Sequence, residues 1–280
     1  MLMASILLFG SGSMSGEISA SQKLQVAGLD VAAWIPSSDT PGPWPAIIFS
    51  HGFHGCSTQS TFLMSALADS GYAVFAPNHK DAACRSVRAW LTRPEARFGD
   101  PRDWNDSIYQ DRAQDLEKLI DALSQDPRYR TAPYDWSHLG VVGHSLGGYT
   151  VLGLGGGWPK WKDARIKAIL ALSPYAAPFI AKETLHGLEA PVMYQGGTHD
   201  LGVTPFINKG NGAFPQSPTP KYYVEFDGAG HFAWTDLNPK FQSAIVEYSR
   251  AFLDRYLKGE PFPASLTTPH PGVTEVEIVE

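Results

Sequence analysis

Residues 139–154 restrict the fold of this chain more than any other stretch. A short apolar run at 139–142 (LGVV) leads into Gly143-His144-Ser145-Leu146-Gly147-Gly148, and the apolar residues up to 154 read as a helix. Strand, tight turn and helix in that order put a serine on a sharp bend with its hydroxyl pointing outward. Glycines two positions to either side of Ser145 remove the side chains that would collide in such a turn. The helix aims its free N–H groups and positive dipole end at whatever sits above the serine. A G-x-S-x-G string arises by chance often enough; in this setting it marks Ser145 as a nucleophile.

The remaining chain alternates between strand-like and helical patterns. Apolar, β-branched runs at 26–35, 46–50, 72–76, 166–172, 191–194 and 222–226 predict strands. Helical spacing predicts helices at 59–70, at 107–123 with Asp106 as N-cap, and at 241–257. Such alternation gives a mostly parallel sheet with helices on both faces, and ligands then sit beyond the carboxyl ends of the strands. One α/β domain over 23–260 accounts for the 280 residues. It is flanked by an N-terminal extension (1–22) and a C-terminal surface extension (261–280) with room for one edge strand. The stretch 81–105 is polar and aromatic without a period, and reads as a partial cap over the site.

A serine hydroxyl needs a base, and the base needs an orienting carboxylate. After the strand run near 192–194 comes Gly196-Gly197-Thr198-His199-Asp200; after 222–226 comes Gly228-Ala229-Gly230-His231-Phe232. Both lie at the sheet edge that carries Ser145. Asp200 is therefore assigned as orienter and His231 as general base, in the chain order Ser, acid, His. Asp227 and Asp236 are competing acids, too close in sequence to His231 to be its usual partner. Of nine histidines, His51, His54, His79, His144 and His199 fall near the site without an assigned proton transfer. The oxyanion donors are expected to be the N–H groups of Leu146 and Phe53, the latter in the loop His51-Gly52-Phe53-His54-Gly55-Cys56. His54, His144, Phe232 and Trp234 are expected to contact substrate. Arg85, Arg88, Arg93 and Arg97 in the cap could contact an acidic acyl or phospho group; such arginines more often pair with nearby acids on the surface.

Composition narrows the partners. A net charge of -6 without a basic run argues against nucleic acid, and no apolar stretch is long enough to span a bilayer. The start, MLMASILLFG, lacks the basic residues and the longer apolar run of an export signal. The reading therefore favours a frayed extension and the cytoplasm, with the cleavage-like Ile18-Ser19-Ala20 keeping export as the alternative. No metal or cofactor is called for, and nothing fixes an oligomeric state.

The chain resembles the α/β-hydrolase superfamily, in particular bacterial serine esterases similar to platelet-activating-factor acetylhydrolases and dienelactone hydrolases. The resemblance runs from about 45 to 257. It rests on His51-Gly52-Phe53, Ala76-Pro77-Asn78-His79, the Ser145 motif, Gly197-Thr198-His199-Asp200 and Gly228-Ala229-Gly230-His231-Phe232. It implies an eight-stranded sheet with one reversed strand and an acyl-enzyme without cofactor. Two departures matter. Dienelactone hydrolases use a cysteine where this chain has Ser145. The animal acetylhydrolases take their acid after the strand that follows the nucleophile helix, where this chain has Ser173-Pro174-Tyr175. Phospholipid specificity is therefore not implied. In this fold the strands preceding Cys56 and Cys84 are neighbours, so those two are a candidate disulfide if their Cα atoms lie within about 7 Å.

The expected activity is hydrolysis of a small-molecule carboxylic ester of short to medium acyl chain. A cofactor-free perhydrolase or haloperoxidase, an amidase, and a catalytically silent binding protein remain as alternatives.

Overall fold

The computed structural model describes residues 21–86, 88–130 and 133–280. The expectations for the first twenty residues lie outside it. Nine strands form one sheet: β1 (Gln22–Val26), β2 (Leu29–Trp34), β3 (Trp44–Ser50), β4 (Ala73–Pro77), β5 (Tyr134–His144), β6 (Ile166–Leu172), β7 (Val192–Gly197), β8 (Lys221–Phe226) and β9 (Val273–Val279). Their order is β1-β2-β4-β3-β5-β6-β7-β8-β9. From β4 through β8 all neighbours are parallel; the pairs β1–β2, β2–β4 and β8–β9 are antiparallel. The eight-strand expectation is thus corrected to nine among the described residues, with β2 and β9 both reversed. The additional strand is β9, drawn from the segment read as a C-terminal extension.

Strand residues divide between the two faces with the period of two that pleating imposes. Ala46 and Ile48 pack into one core, while Ile47 and Phe49 pack into the other. Because both faces are covered, the parallel strands read as continuous apolar runs rather than alternating ones. Helices α1 (Thr61–Asp69) and α8 (Gln242–Leu253) cover one face through Leu63, Leu67, Ile245 and Phe252. Helices α2 (Gln110–Gln125) and α4 (Leu146–Leu152) cover the other through Leu116, Ile120, Leu146 and Tyr149. Shorter helices are α3 (Pro127–Arg130), α5 (Ala177–Lys182), α6 (Pro205–Asn208) and α7 (Ala213–Gln216).

The early strand run resolves into a hairpin whose two-residue turn, Ala27-Gly28, has positive φ at both positions (51° and 81°). That is the turn whose twist matches paired strands. Helix α2 begins later than expected. Its first residue is Gln110, and its N-cap is Tyr109 in the left-handed region, not Asp106. Asp106 instead pairs with Lys160 at 2.7 Å. Tyr109 is buried, and its N–H donates to Glu95 Oε2 at 2.5 Å. Anchoring the ring in the core overrides the capping preference of the earlier aspartate.

Candidate active site

Ser145, Asp200 and His231 each come from a turn at the carboxyl end of a parallel strand. Ser145 follows β5 directly, with φ 56° and ψ −117°. A Cβ on Gly143 would lie 2.2 Å from the Gly147 carbonyl oxygen, and one on Gly147 would lie 1.9 Å from that of Ser50. The sharp turn therefore needs both glycines, which explains their spacing. The Ser145 N–H donates to Leu172 O at 3.0 Å, tying the turn to the end of β6.

The loops after β7 and β8 are zipped together. Thr198 N–H donates to Phe226 O at 3.1 Å, His199 N–H to Ala229 O at 3.0 Å, and Gly228 N–H to Thr198 Oγ1 at 2.7 Å. This zipper sets Asp200 against His231, with Asp200 Oδ2 3.0 Å from His231 Nδ1. On the other side of the ring, Nε2 lies 2.9 Å from Ser145 Oγ. A second serine completes the cluster. Ser173, the residue after β6, is fully buried; its hydroxyl donates to Asp200 Oδ2 and lies 2.9 Å from His231 Nδ1. The Ser-His-Asp geometry matches that of a catalytic triad. The competing acid Asp236 borders the cleft but is engaged in capping α1, accepting from the N–H groups of Thr61 and Phe62 at 3.0 Å each.

The loop after β3 lies across Ser145, since a Cβ on Gly52 would be 3.3 Å from Ser145 Cβ. Phe53 is in this loop. Leu146 is the first residue of α4, so its N–H has no acceptor within the helix. Beneath the loop is a buried polar cluster. The Arg112 guanidinium donates to His51 O (2.8 Å), Gly52 O (3.2 Å) and both Asp81 carboxylate oxygens (3.2 and 3.0 Å). Asp81 Oδ2 in turn accepts from the His54 N–H at 3.3 Å. Burial works against the Asp81 charge, but Arg112 overrides it and holds the carboxyl well below the usual range. His51 and His79 are fully buried, and burial, reinforced by Arg112, holds both well below the ordinary histidine value. They do not line the cleft.

The cleft itself has a volume of about 1030 Å³. Ser145, His231, Phe53, His54, His144 and Phe232 line it, joined by Trp90, Phe98, Tyr175 and Leu237. Phe98 is 5.9 Å from Phe53 and 4.9 Å from Tyr175, and the Tyr175 hydroxyl donates to Phe98 O at 2.6 Å. Trp234 is a correction. It is fully buried, its indole N–H donates to Gln195 Oε1 at 2.9 Å, and it packs in the core below the site. The four cap arginines are all exposed and none lines the cleft, as the surface alternative has it.

The cap is three short 3₁₀ turns, Ala83–Arg85, Ala89–Leu91 and Pro101–Asp103. Cys56 and Cys84 are joined in a disulfide with Cα atoms 6.0 Å apart, so the cap is bonded to the loop that carries Phe53. Sequence reasoning missed Ser173, Phe98, Arg112 and Gln59 as parts of the site. Only Ser173 had a positional signal, as the first residue past a parallel strand.

Residues 14–121 match the family model for platelet-activating factor acetylhydrolase, isoform II. A cutinase of Thermobifida alba is 28% identical over 218 residues, covering 76% of this chain and 59% of the relative's length. A bis(hydroxyethyl) terephthalate hydrolase of Streptomyces coelicolor is 23% identical over 246 residues, covering 86% of this chain and 67% of its own. A platelet-activating factor acetylhydrolase of Cavia porcellus is 25% identical over 177 residues, 52% of this chain and 38% of its own. Together with the site geometry, these similarities relate the chain to α/β-hydrolase-superfamily esterases of the acetylhydrolase-like and cutinase-like kinds. They do not single out one member of that group.

Proposed function

We propose that this chain is a serine carboxylester hydrolase that works through an acyl-enzyme, with Ser145 as nucleophile, His231 as general base and acid, and Asp200 as orienter. The observation that carries the reading is the 2.9 Å contact between Ser145 Oγ and His231 Nε2, opposite the Asp200 contact on Nδ1. Ser173 shares the Nδ1 side with the carboxylate, is fully buried and does not line the cleft, so it is poorly placed to meet a carbonyl carbon.

The steps follow from these positions. Ser145 Oγ attacks the ester carbonyl as His231 Nε2 takes its proton. Asp200 holds Nδ1–H and stabilises the imidazolium. The oxyanion is met by the N–H groups of Phe53 and Leu146, each such donor being worth roughly 10²- to 10³-fold in rate. The C–O bond then breaks, and the leaving alkoxide takes the proton from Nε2. Water, deprotonated by His231 Nε2, attacks the acyl-enzyme; the Ser145 C–O bond breaks, Oγ takes that proton back from Nε2, and the acid is released.

Short to medium acyl esters suit a cleft whose floor is Phe53, Phe98 and Tyr175. A second reading is favoured by its rim. Trp90, Phe232 and Leu237 line the mouth while remaining 64%, 61% and 80% exposed. An open apolar mouth of this kind suits an ester bond within a bulky or polymeric chain, the substrate type that the names cutinase and terephthalate hydrolase describe for the relatives.

Hydrolysis of p-nitrophenyl esters from acetate to palmitate tests the assignment. Ser145→Ala is expected to lose on the order of 10⁴- to 10⁶-fold in kcat. Ser173→Ala is expected to lose only about tenfold, the worth of one hydrogen bond. The reverse order would make Ser173 the nucleophile. A wild type inert on every ester would remove the esterase reading.

A further inference from the structure

Gln59 stands between three loops that the reaction needs. Its side-chain oxygen accepts the Gly52 N–H at 3.0 Å. Its side-chain nitrogen lies 2.9 Å from His144 Nδ1. His144 Nε2 lies 2.8 Å from the backbone oxygen of His231. One unbroken chain of hydrogen bonds thus runs from the oxyanion loop, through the residue beside the nucleophile, to the loop carrying the general base.

The polarity of this chain is fixed at both ends. The His231 carbonyl only accepts, so His144 Nε2 must carry a proton. The Gly52 N–H only donates, so the Gln59 oxygen must face it, and the Gln59 amide nitrogen is left to donate to an unprotonated His144 Nδ1. Every atom is satisfied by the neutral Nε2–H tautomer of His144 and by no other state. Burial, with the nearby His231 second, lowers the His144 pKa to about 3, so the ring stays neutral across the working range. The titratable groups around it are His231, whose ring centroid is 5.0 Å away, and Asp200; Trp234 stacks at 6.3 Å on another side.

The neighbouring sequence makes room for this link. A Cβ on Gly55 would lie 2.1 Å from Gln59 Oε1. The Gln59 backbone is fastened as well, its N–H donating to Cys56 O at 2.9 Å and its oxygen accepting Asp236 N–H at 3.0 Å. The side chain is therefore not free to leave.

We propose that Gln59 is a positioning residue for ester hydrolysis: by holding Gly52 and fixing the tautomer of His144, it sets the oxyanion loop and the His231 loop in register over Ser145. This rests on the esterase reading above. Gln59 touches no reacting atom; it acts by keeping the Phe53 N–H and His231 where the transition state needs them, and small misplacements there are costly.

The test pairs kinetics with nitrogen NMR of the His144 ring. In the wild type, His144 is expected to show Nε2 protonated and Nδ1 bare. Gln59→Leu, which removes both bonds, is expected to lower kcat about 30-fold with KM within about twofold, since a misplaced oxyanion donor is worth less than a missing one. Gln59→Glu keeps an acceptor for Gly52 but offers no N–H to His144. The His144 ring is then expected to hold Nε2–H for the His231 carbonyl and to gain a proton on Nδ1 for the new carboxylate, so the NMR pattern changes to both nitrogens protonated. Wild-type kcat in Gln59→Leu, or an Nδ1 that stays bare in Gln59→Glu, would overturn the proposal. Should the wild type hydrolyse no ester, the esterase reading fails on its own, and the NMR arm still decides whether Gln59 fixes His144.

Discussion

Among single residues, Arg112 carries the largest local consequence. It is a fully buried cation whose partners are a buried carboxylate and the two carbonyls at the base of the oxyanion loop. Arg112→Met would leave Asp81 buried with its charge uncompensated. Removing one partner of such a pair typically costs about 3–5 kcal/mol, and a loss of that size in the unfolding free energy from urea titration is expected. Adding Asp81→Leu to the same chain should recover much of the loss, because no stranded charge then remains. If the single variant is as stable as the wild type, the pair does not hold this loop. Ser145, Asp200 and His231 were legible in sequence because each sits in a turn of distinctive composition right after a strand. Arg112, Gln59 and Ser173 were not. Each is an ordinary polar residue whose meaning comes from partners far along the chain, such as Ser173 with His231, 58 positions away. Trp234 was misread for the same reason: an aromatic next to a histidine loop does not reveal which way it faces.

At the level of elements, the cap and the oxyanion loop form one unit. Beyond the Cys56–Cys84 bond, the Ala83 N–H donates to Gly55 O at 3.2 Å, and His54 Nε2 meets Thr92 O at 3.0 Å. The bonded cysteines are 28 positions apart. Closing a loop of that length restricts the unfolded chain by roughly 3–4 kcal/mol. The Cys56→Ser/Cys84→Ser double variant is expected to lose about that much stability, read from urea unfolding. It should also show a higher KM for bulky esters, since Trp90 loses its tether. A double variant with unchanged stability would mean that the bridge contributes nothing to the fold. The strands and long helices were readable because β-branched runs and helical spacing persist over many residues. The stretch 81–105 was read as a cap but its three turns were not, because they are set by Tyr109, Glu95 and the disulfide rather than by local propensity. The start of α2 failed for that reason too.

For the whole molecule, acid stability should be governed by three buried neutral histidines. His51, His79 and His144 all have folded pKa values below the ordinary value near 6.5. The unfolded chain therefore binds more protons, and the stability they contribute is full above about pH 6.5 and falls as the pH drops below it. Each adds a slope of up to about 1.4 kcal/mol per pH unit. Asp115 opposes them: burial raises its pKa to about 6, so between about 6 and the ordinary carboxylate value it favours the folded state as pH falls. Asp81 acts with the histidines at the acid end. The expected net result is a loss of stability below pH 6.5, with His144→Gln flattening the slope by about one proton's worth. Urea midpoints taken from pH 7.5 to pH 4.5 check this, and an unchanged slope in His144→Gln would contradict it. The sheet as a whole was legible, its last member only as room for one edge strand in the C-terminal extension. β9 borders β8, the strand that delivers the His231 loop, and it bears Glu275, Glu277 and, just beyond it, Glu280. An unprotected sheet margin is a template on which another chain can assemble. Here the margin is a row of carboxylates, so two copies approaching edge to edge would repel each other. At the β8 side of the sheet, the tail thus sets like charge against any strand that would extend it.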